Sequence, residues 1–431
     1  MAPRDSFVFA HLADAHVGAW PRQPKLRAEL RQAVLRSLAR AAEEPVEFLL
    51  ISGDLFHTPV PDPAEVAPVA AALRRLTESG SRIYAIYGSH DYVAHKTSWL
   101  DVLAEAGVFV RVAPESVRAE GTRWTLPYLV DPPTGAVIAG VSGRAHSLDR
   151  EYFRGMDSEA FRAADGLRIF QFHAAVEEYL PESLRGKILG IRRDDLPADC
   201  AYYAGGHIHC PYRGEGPGGG LLVNPGAIYG TSTTDLDYQE TYAGHRGLAL
   251  VRVERGRPRL AFFDPCEGRR TSLVTADVSG RSPDEIREEI LRAATAAPPR
   301  GNAAPTVIRL QGRLGDRSLA DLGIAEILRD PRLEGRPVEL VAGDLVHGVA
   351  GDVTPPSEGE VEREEFERLL AGPADEVWWE DPRDAERAMR ELLRELGTER
   401  AEGESRADYV DARRRGAFSI LGVPGPPEGE E

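Results

Sequence analysis

The sequence predicts a layered α/β protein, and three observations carry that prediction. Strand-type apolar runs alternate with stretches of helical periodicity from residue 7 to residue 91, the order that lays helices on the face of a mostly parallel sheet. Successive strands in that stretch end in aspartate or histidine, and the carboxyl edge of such a sheet is where ligands bind. The composition, 42% apolar and 28% charged over 431 residues, is that of a globular chain long enough for two or three domains.

The opening run Phe7-Val8-Phe9-Ala10-His11-Leu12 reads as a short buried strand. It leads into Ala13-Asp14-Ala15-His16-Val17-Gly18, where Asp14 and His16, two residues apart, fall on one side of an extended chain. Aspartate with histidine is a mixed hard and borderline ligand pair for a divalent ion; an ordinary turn or cap aspartate is the competing reading. Leu26, Leu30, Val34 and Leu38 recur every four residues, so 22–44 is expected to be an amphipathic helix. Residues 46–51 form the next strand, closed by Ser52-Gly53-Asp54-Leu55-Phe56-His57. A helix over 64–78 and a strand over 82–87 complete a second step, which ends in Gly88-Ser89-His90-Asp91.

Residues 99–165 are less informative, with strands expected near 108–112 and 136–141. The run 167–173 is a strand that delivers His173 at its end. Ala201-Tyr202-Tyr203-Ala204 then leads into Gly205-Gly206-His207-Ile208-His209, where the two histidines share a side and the glycines permit a sharp turn and a close approach. A lone His-x-His reads as well as a plain hydrogen-bonded pair; its weight comes from the matching acids and histidines at other strand ends. Further strands are expected at 220–224 and 247–253, joined through Asn224-Pro225-Gly226-Ala227, and at 260–263. The first domain boundary falls near Pro265, giving a domain of residues 1–265.

A second unit spans 270–351. Ser282-Pro283-Asp284-Glu285 is a capping box with proline at the first helical position, which starts a helix running to about residue 296. Strands at 306–310 and 338–341 with a helix over 319–328 between them make a small α+β domain. Pro355-Pro356-Ser357-Glu358-Gly359 is a linker to a third region, 358–431. There Val361, Phe366, Leu369 and Leu370 mark one amphipathic helix and Ala388, Leu392, Leu393 and Leu396 another. A Trp378-Trp379 pair lies between them, and an acidic, proline-rich tail is expected to be disordered.

A net charge of −17 argues against broad nonspecific nucleic-acid binding, though not against a local basic track or a positive charge supplied by bound metal. No apolar run approaches the length of a membrane span, and the first residues carry no signal-type apolar region. Cys200, Cys210 and Cys266 make no disulfide framework, and Cys210, beside the His-x-His, reads better as a small buried filler than as a ligand. A cytoplasmic location is expected.

Collected, the candidate ligands are Asp14, His16, Asp54, His173, His207 and His209, with Ser89 and His90 nearby. A mixed carboxylate and imidazole set suits Mn²⁺, Fe²⁺ or Zn²⁺ better than Mg²⁺ alone. Two ions roughly 3.5–4 Å apart can activate a water and clamp a phosphate undergoing in-line attack. The series Asp14-Ala-His16, Gly53-Asp54, Gly88-Ser89-His90-Asp91, His173 and Gly206-His207-Ile-His209 resembles the calcineurin-like metallophosphoesterases. Within them the chain is most similar to the Mre/SbcD-type DNA double-strand-break repair nucleases, through the stretch Phe9 to Gly18, Gly53-Asp54-Leu-Phe-His57, Glu178-Tyr179-Leu180-Pro181 after His173, and Tyr203-Ala-Gly-Gly-His207-Ile-His209. Good similarity covers 7–112 and 166–265.

That resemblance implies a β-sandwich flanked by helices, with a capping domain and a helical C-terminal region. Asp14, His16, Asp54 and His209 would hold one metal, usually Mn²⁺. Asp54 would bridge to a second held by His173, His207 and the residue at position 89. His90 would be the acid that helps the leaving oxygen depart, and His57 would help place the DNA strand; for His57 an ordinary packed or surface histidine is an equal reading. The unit 270–351 would contact DNA, and 358–431 would dock on an SMC-like ATPase of SbcC/Rad type. The whole would be a homodimeric 3′-to-5′ exonuclease, with endonuclease activity a further expectation, independent of membranes. One departure stands out: the family usually has asparagine where this chain has Ser89, and a hydroxyl is a shorter, poorer neutral ligand. Two alternatives stay open. A small-molecule or phosphoprotein esterase is disfavoured by Leu55-Phe56-His57-Thr58 after Gly53-Asp54 and by the length beyond 265. A non-catalytic scaffold for the ATPase is the other.

Overall fold

The alternation of side chains along the first strand sets the architecture. In the computed structural model, which describes residues 3–91, 97–112, 119–120, 123–143, 149–296, 305–315 and 322–347 with Glu391, Arg415, Gly416 and Ser419, β1 (Phe7–Leu12) is buried on both faces. Val8, Ala10 and Leu12 pack against α1 (Pro24–Glu43) and α2 (Pro63–Glu78), whereas Phe7 and Phe9 point to the opposite side, as period-2 geometry requires. Proline opens both helices, where its missing N–H costs nothing. β2 (Phe48–Ser52) and β3 (Arg82–Ile86) follow the same logic, and β3 is succeeded by α3 (Trp99–Glu105) and β4 (Val110–Arg111).

A three-stranded annex is made from β5 (Ala119–Glu120), β6 (Arg123–Thr125) and a later strand. The second main sheet is built from β7 (Tyr128–Val130) and β8 (Val137–Val141), then, after α4 (Asp149–Arg154), the annex strand β9 (Met156–Asp157) and α5 (Glu159–Ala163), from β10 (Arg168–His173), β11 (Tyr202–Gly206), β12 (Tyr212–Glu215) and β13 (Leu221–Asn224). After α6 (Thr233–Thr241), β14 (Leu248–Glu254) and β15 (Arg257–Phe263) return to the first sheet. The strand orders are β15-β14-β1-β2-β3-β4 and β12-β13-β11-β10-β8-β7. Strands β1 to β4 run parallel, as do β8, β10, β11 and β13, so both sheets present carboxyl ends at one edge. Phe9, Phe48, Leu50 and Tyr84 of one sheet and Ile138, Ile169, Tyr202 and Val223 of the other share one apolar core. The result is a β-sandwich with helices on its outer faces, a mixed α/β fold.

The chain divides into two compact units, 1–349 and 350–431. Within the first, β16 (Ser272–Asp277), β17 (Thr306–Gly315) and β18 (Val338–His347) form a parallel sheet covered by α7 (Pro283–Ala296), with α8 (Ile324–Leu328) beside it and an apolar core of its own. The Ser282–Glu285 capping box is formed as expected. Both strands run five to six residues past their expected ends, because polar positions such as Gln311 and Asp344 continue the ladder through a bulge. The helix expected over 319–328 is described only from Ile324, after Gly323 at φ 59°. This sheet sits on the start of α1: Lys25 N–H donates to the buried Glu339 carboxylate at 2.9 Å and Lys25 Nζ to Val338 O at 3.0 Å. A carboxylate there complements the positive end of the helix dipole. The helices expected beyond Val361, and Trp378-Trp379, lie outside the described residues.

Candidate metal centre

Every one of the six expected ligands comes to the shared carboxyl edge, but the backbone that brings them there is not extended. β1 ends at Leu12, and Asp14 (φ 52°), His16 (φ 46°) and Asp54 (φ 52°) all stand in the left-handed region, as does His207 at φ 90°. Side-by-side placement of Asp14 and His16 therefore arises from a coiled turn, not from strand alternation. Non-glycine residues held there cost on the order of 1 kcal/mol or more each, and such strain gathers at functional sites. The turns hold one another: Asp14 N–H donates to Gly53 O (3.1 Å), His16 N–H to Asp54 O (2.9 Å) and Val17 N–H to Leu55 O (3.0 Å).

Two glycines make this closeness feasible. A Cβ on Gly53 (φ 89°) would stand 2.3 Å from His173 Nδ1, and one on Gly88 only 2.0 Å from Asp54 Oδ1. Beneath them the Asp91 carboxylate, fully buried, accepts from Asp54 N–H (2.6 Å), Gly88 N–H (2.9 Å) and Phe56 N–H (3.3 Å). Burial pushes its carboxyl up to about 7, with the Asp54 charge adding to the effect.

The side chains then converge. Asp14, His16, Asp54 and His173 are almost wholly buried. His16 Nε2 lies 3.0 Å from His209 Nε2 and 3.4 Å from Asp54 Oδ2, while His173 Nε2 lies 3.3 Å from the same carboxylate oxygen. Three sets of ligand atoms come within reach of a common point: Asp14 with His16 and His209, Asp14 with Asp54 and His173, and His16 with His57 and His90. The His207 ring meets His173 edge-on at 5.1 Å, and the His207 backbone N–H donates to both oxygens of Asp14 (3.0 and 3.1 Å). His173 Nδ1 donates to Ser52 O at 2.9 Å, and Nε2, facing Asp54 Oδ2 at 3.3 Å, is left buried with no well-formed hydrogen bond. That orphan nitrogen, and two imidazole nitrogens pointing at each other across 3.0 Å, fit divalent cations placed between them.

The electrostatics agree. Burial raises Asp14 to about 6 against the charges of His173 and His209. Burial works against ionised Asp54 as well, yet the charges on His173 and His16 hold it well below the usual carboxylate range. Burial would lower His173, but the Asp54 charge carries it up to about 10; likewise His209 rises to about 9 on its bond to Asp235. His16 and His207 have no such dominant partner and are lowered, His207 to about 3, chiefly by burial. Protons on His173 and His209 thus occupy places that a cation would take, and the two compete.

Around this centre, His90 is exposed, its N–H donating to Asp54 Oδ1 (2.9 Å) and its Nδ1 facing His57 O (2.9 Å). His57 stacks on the His90 ring at 5.2 Å and brings Nδ1 within 3.4 Å of His16 Nδ1. Ser89 is half-buried in the same turn, between Gly88 and His90. Cys210 is a free, buried thiol. Sequence reasoning missed two contributors. Asp235 accepts from His209 Nδ1 at 2.8 Å, and Asp91 is the buttress just described. The capping-box spacing Ser232-x-x-Asp235 announces a helix start, but nothing in it announces a histidine 26 residues away.

Residues 7–211 match the calcineurin-like phosphoesterase family. The chain is similar to proteins named DNA double-strand break repair protein Mre11: that of Methanopyrus kandleri, 27% identical across 82% of this chain and 85% of the relative, and that of Archaeoglobus fulgidus, 26% identical across 51% and 49%. It thus spans about half the length of the latter. It is also similar to the uncharacterized metallophosphoesterase YhaO of Bacillus subtilis, 24% identical across 58% of each chain.

Proposed function

Because residues 7–211 form a calcineurin-like metallophosphoesterase domain, we propose that this chain is a DNA nuclease that hydrolyses phosphodiester bonds at a two-cation centre. The observation that carries the reading is the meeting of Asp14, His16, Asp54, His173, His207 and His209 at one sheet edge, with the ligand atoms of Asp14, His16, Asp54, His173 and His209 close enough to share cations and the His207 ring beside that of His173. Asp14, His16, Asp54 and His209 would hold one cation, and Asp54 with His173, His207 and Ser89 would hold the other. Mn²⁺ suits this donor set. DNA as substrate is supported by likeness to the Mre11 relatives, one of which aligns along most of its length.

When bound, the cations polarise the phosphate and lower the pKa of an attacking water. The chain's own residues do the rest. Asp54, shared between the clusters, fixes the spacing of the two sites. The rigid turns at Asp14, His16 and Asp54 keep the donors in place before substrate arrives. His90 stands exposed at the rim, its Nδ1 tied to the His57 carbonyl, so that Nε2 is free to hand a proton to the leaving oxygen. His57, stacked on His90, borders the path of the strand.

The reading extends to the rest of the chain. The sheet of β16, β17 and β18 contacts DNA beside the site, and residues 358–431 bind an SMC-like ATPase of SbcC/Rad type. The active form is a cytoplasmic homodimer cutting in the 3′-to-5′ direction. No helix among the described residues is long and apolar enough to cross a membrane. A second reading, hydrolysis of a smaller phosphoester, is favoured by the likeness to the Bacillus metallophosphoesterase. End-labelled linear duplex with Mn²⁺ separates them. Wild type is expected to shorten the label progressively and His90→Ala to do so about 10²–10³-fold more slowly, the range of a lost general acid. Intact DNA alongside turnover of a small aryl phosphodiester would favour the second reading.

A further inference from the structure

Resting on the two-cation reading, we infer that Asp235 is a positioning residue that sets the geometry, and hence the affinity, of the subsite formed by Asp14, His16 and His209. Its Oδ2 accepts from His209 Nδ1 at 2.8 Å, which commits Nε2 to be the ligating nitrogen and turns it toward His16 Nε2, 3.0 Å away. A carboxylate behind a ligating imidazole fixes the tautomer and raises ligand basicity.

Asp235 is itself immobilised. The same oxygen accepts from Thr231 N–H (2.8 Å), Ser232 N–H (3.1 Å) and Thr231 Oγ1 (3.2 Å), which hold the carboxylate; the Ser232 hydroxyl serves the cap of α6, accepting from Asp235 N–H at 3.1 Å. The segment leading to it grips the subsite by its backbone as well. Ala227 N–H donates to His209 O (3.1 Å) and Ile228 N–H to Asp14 O (3.3 Å). The buried Arg246 in turn donates to Ala227 O at 2.5 Å. One wall, from Asn224 to Asp235, therefore supports two of the donors. Among the described residues the other subsite has no charged orienter of this kind: His173 Nδ1 faces the neutral carbonyl of Ser52. The two subsites should differ in affinity for this reason, and Asp235 should control only one of them.

The alternative role for Asp235 is structural, as the third residue of a helix cap, and Ser232→Ala isolates it. That change removes the hydroxyl from the cap and leaves the bond to His209. The experiment titrates wild type, Asp235→Asn and Ser232→Ala with Mn²⁺, reading free Mn²⁺ by electron paramagnetic resonance, with thermal melts in parallel. Asp235→Asn is expected to weaken one of two binding steps by about 10–100-fold and spare the other. Ser232→Ala should lower the melting temperature and move neither step. Unchanged binding in Asp235→Asn overturns the inference, as does equal weakening of both steps in both variants. A wild type that binds no Mn²⁺ overturns the two-cation reading with it, whereas two Mn²⁺ bound without DNA cleavage counts against the nuclease alone.

Discussion

The two six-stranded sheets bring their donors to the common edge by different means. The first sheet supplies Asp14, His16 and Asp54 from turns at positive φ, locked backbone to backbone between the ends of β1 and β2. The second supplies His173 while still in strand register, paired opposite Gly206, adds His207 from a turn at φ 90°, and leaves the ring orientation of His173 and His209 to Ser52 O and Asp235. In the first, geometry is built wholly into the main chain; in the second, the rings of His173 and His209 are set by hydrogen bonds from their own nitrogens. Changes in the first sheet's turns should therefore cost fold and metal together, and changes in the second sheet's partners should cost affinity with little loss of fold.

The largest expected effect is at the carboxylate that both sheets face. Asp54 Oδ2 lies within 3.4 Å of His16 and 3.3 Å of His173. Asp54→Asn is expected to lower the rate of DNA shortening more than about 10³-fold, the scale of losing a group that stabilises the reacting charges directly, and to abolish at least one Mn²⁺ binding step. A variant that kept both steps and normal cleavage would remove Asp54 from the bridging role.

Gly53→Ala tests the backbone half of the comparison. Its positive φ and the 2.3 Å approach of a new Cβ to His173 Nδ1 leave no relaxed position for a methyl group. Destabilisation of about 2–3 kcal/mol is expected from strain and displacement of His173, read as a lower urea midpoint. A melt within a few tenths of a kcal/mol of wild type would show that the turn yields, and the contrast between the sheets would lapse.

Proton competition tests the other half. His173 and His209, raised to about 10 and about 9, both carry protons at about pH 7.5 in the metal-free chain, and a cation must displace them. Mn²⁺ uptake should release about two protons, measured by calorimetry in buffers of different ionisation heat. Affinity should climb as pH rises and level off near 9–10. The sign for stability is the reverse: a histidine raised in the fold stabilises below its unfolded value of about 6.5, and that contribution is lost as pH passes the folded value. The metal-free chain should therefore lose stability progressively from about pH 6.5 to about 9–10 and level off above, where the loaded chain does not. Uptake with no proton release would contradict the charge state assigned to the second sheet's histidines.

How much of this is legible in the sequence follows from how each feature is made. The alternation of Phe7 and Phe9 against Val8, Ala10 and Leu12 places β1 between a sheet and helices, and local periodicity is enough to read it. The pairing of Asp14 with His16 is legible from spacing, yet the extended geometry assumed for it is not what the chain adopts, because left-handed φ at an aspartate or histidine leaves no compositional mark beyond nearby glycine. Asp235 beside His209 and Glu339 at the start of α1 are contacts between residues distant in sequence. Each residue looks like an ordinary cap or surface acid until the fold closes.

The smallest expected effect is at Ser89, and it sharpens the comparison most finely, because it changes one donor without altering a turn or an orienter. Ser89 is half-buried between Gly88, whose Cα has no room for a side chain beside Asp54, and His90. A serine hydroxyl reaches less far than a carboxamide oxygen and is a weaker neutral ligand for a divalent ion. On the proposed assignment, and among the described residues, the subsite of His173 and His207 is short of one good donor and of a charged orienter at once, so it is expected to be the weaker of the two. Ser89→Asn should tighten only the weaker Mn²⁺ step, by up to about tenfold, within the range by which donors and their supports tune metal sites. Activity should then saturate at lower Mn²⁺ with its maximum little changed. Tightening of the stronger step instead would exchange the assignments of the two subsites, and no change in either would place Ser89 outside both.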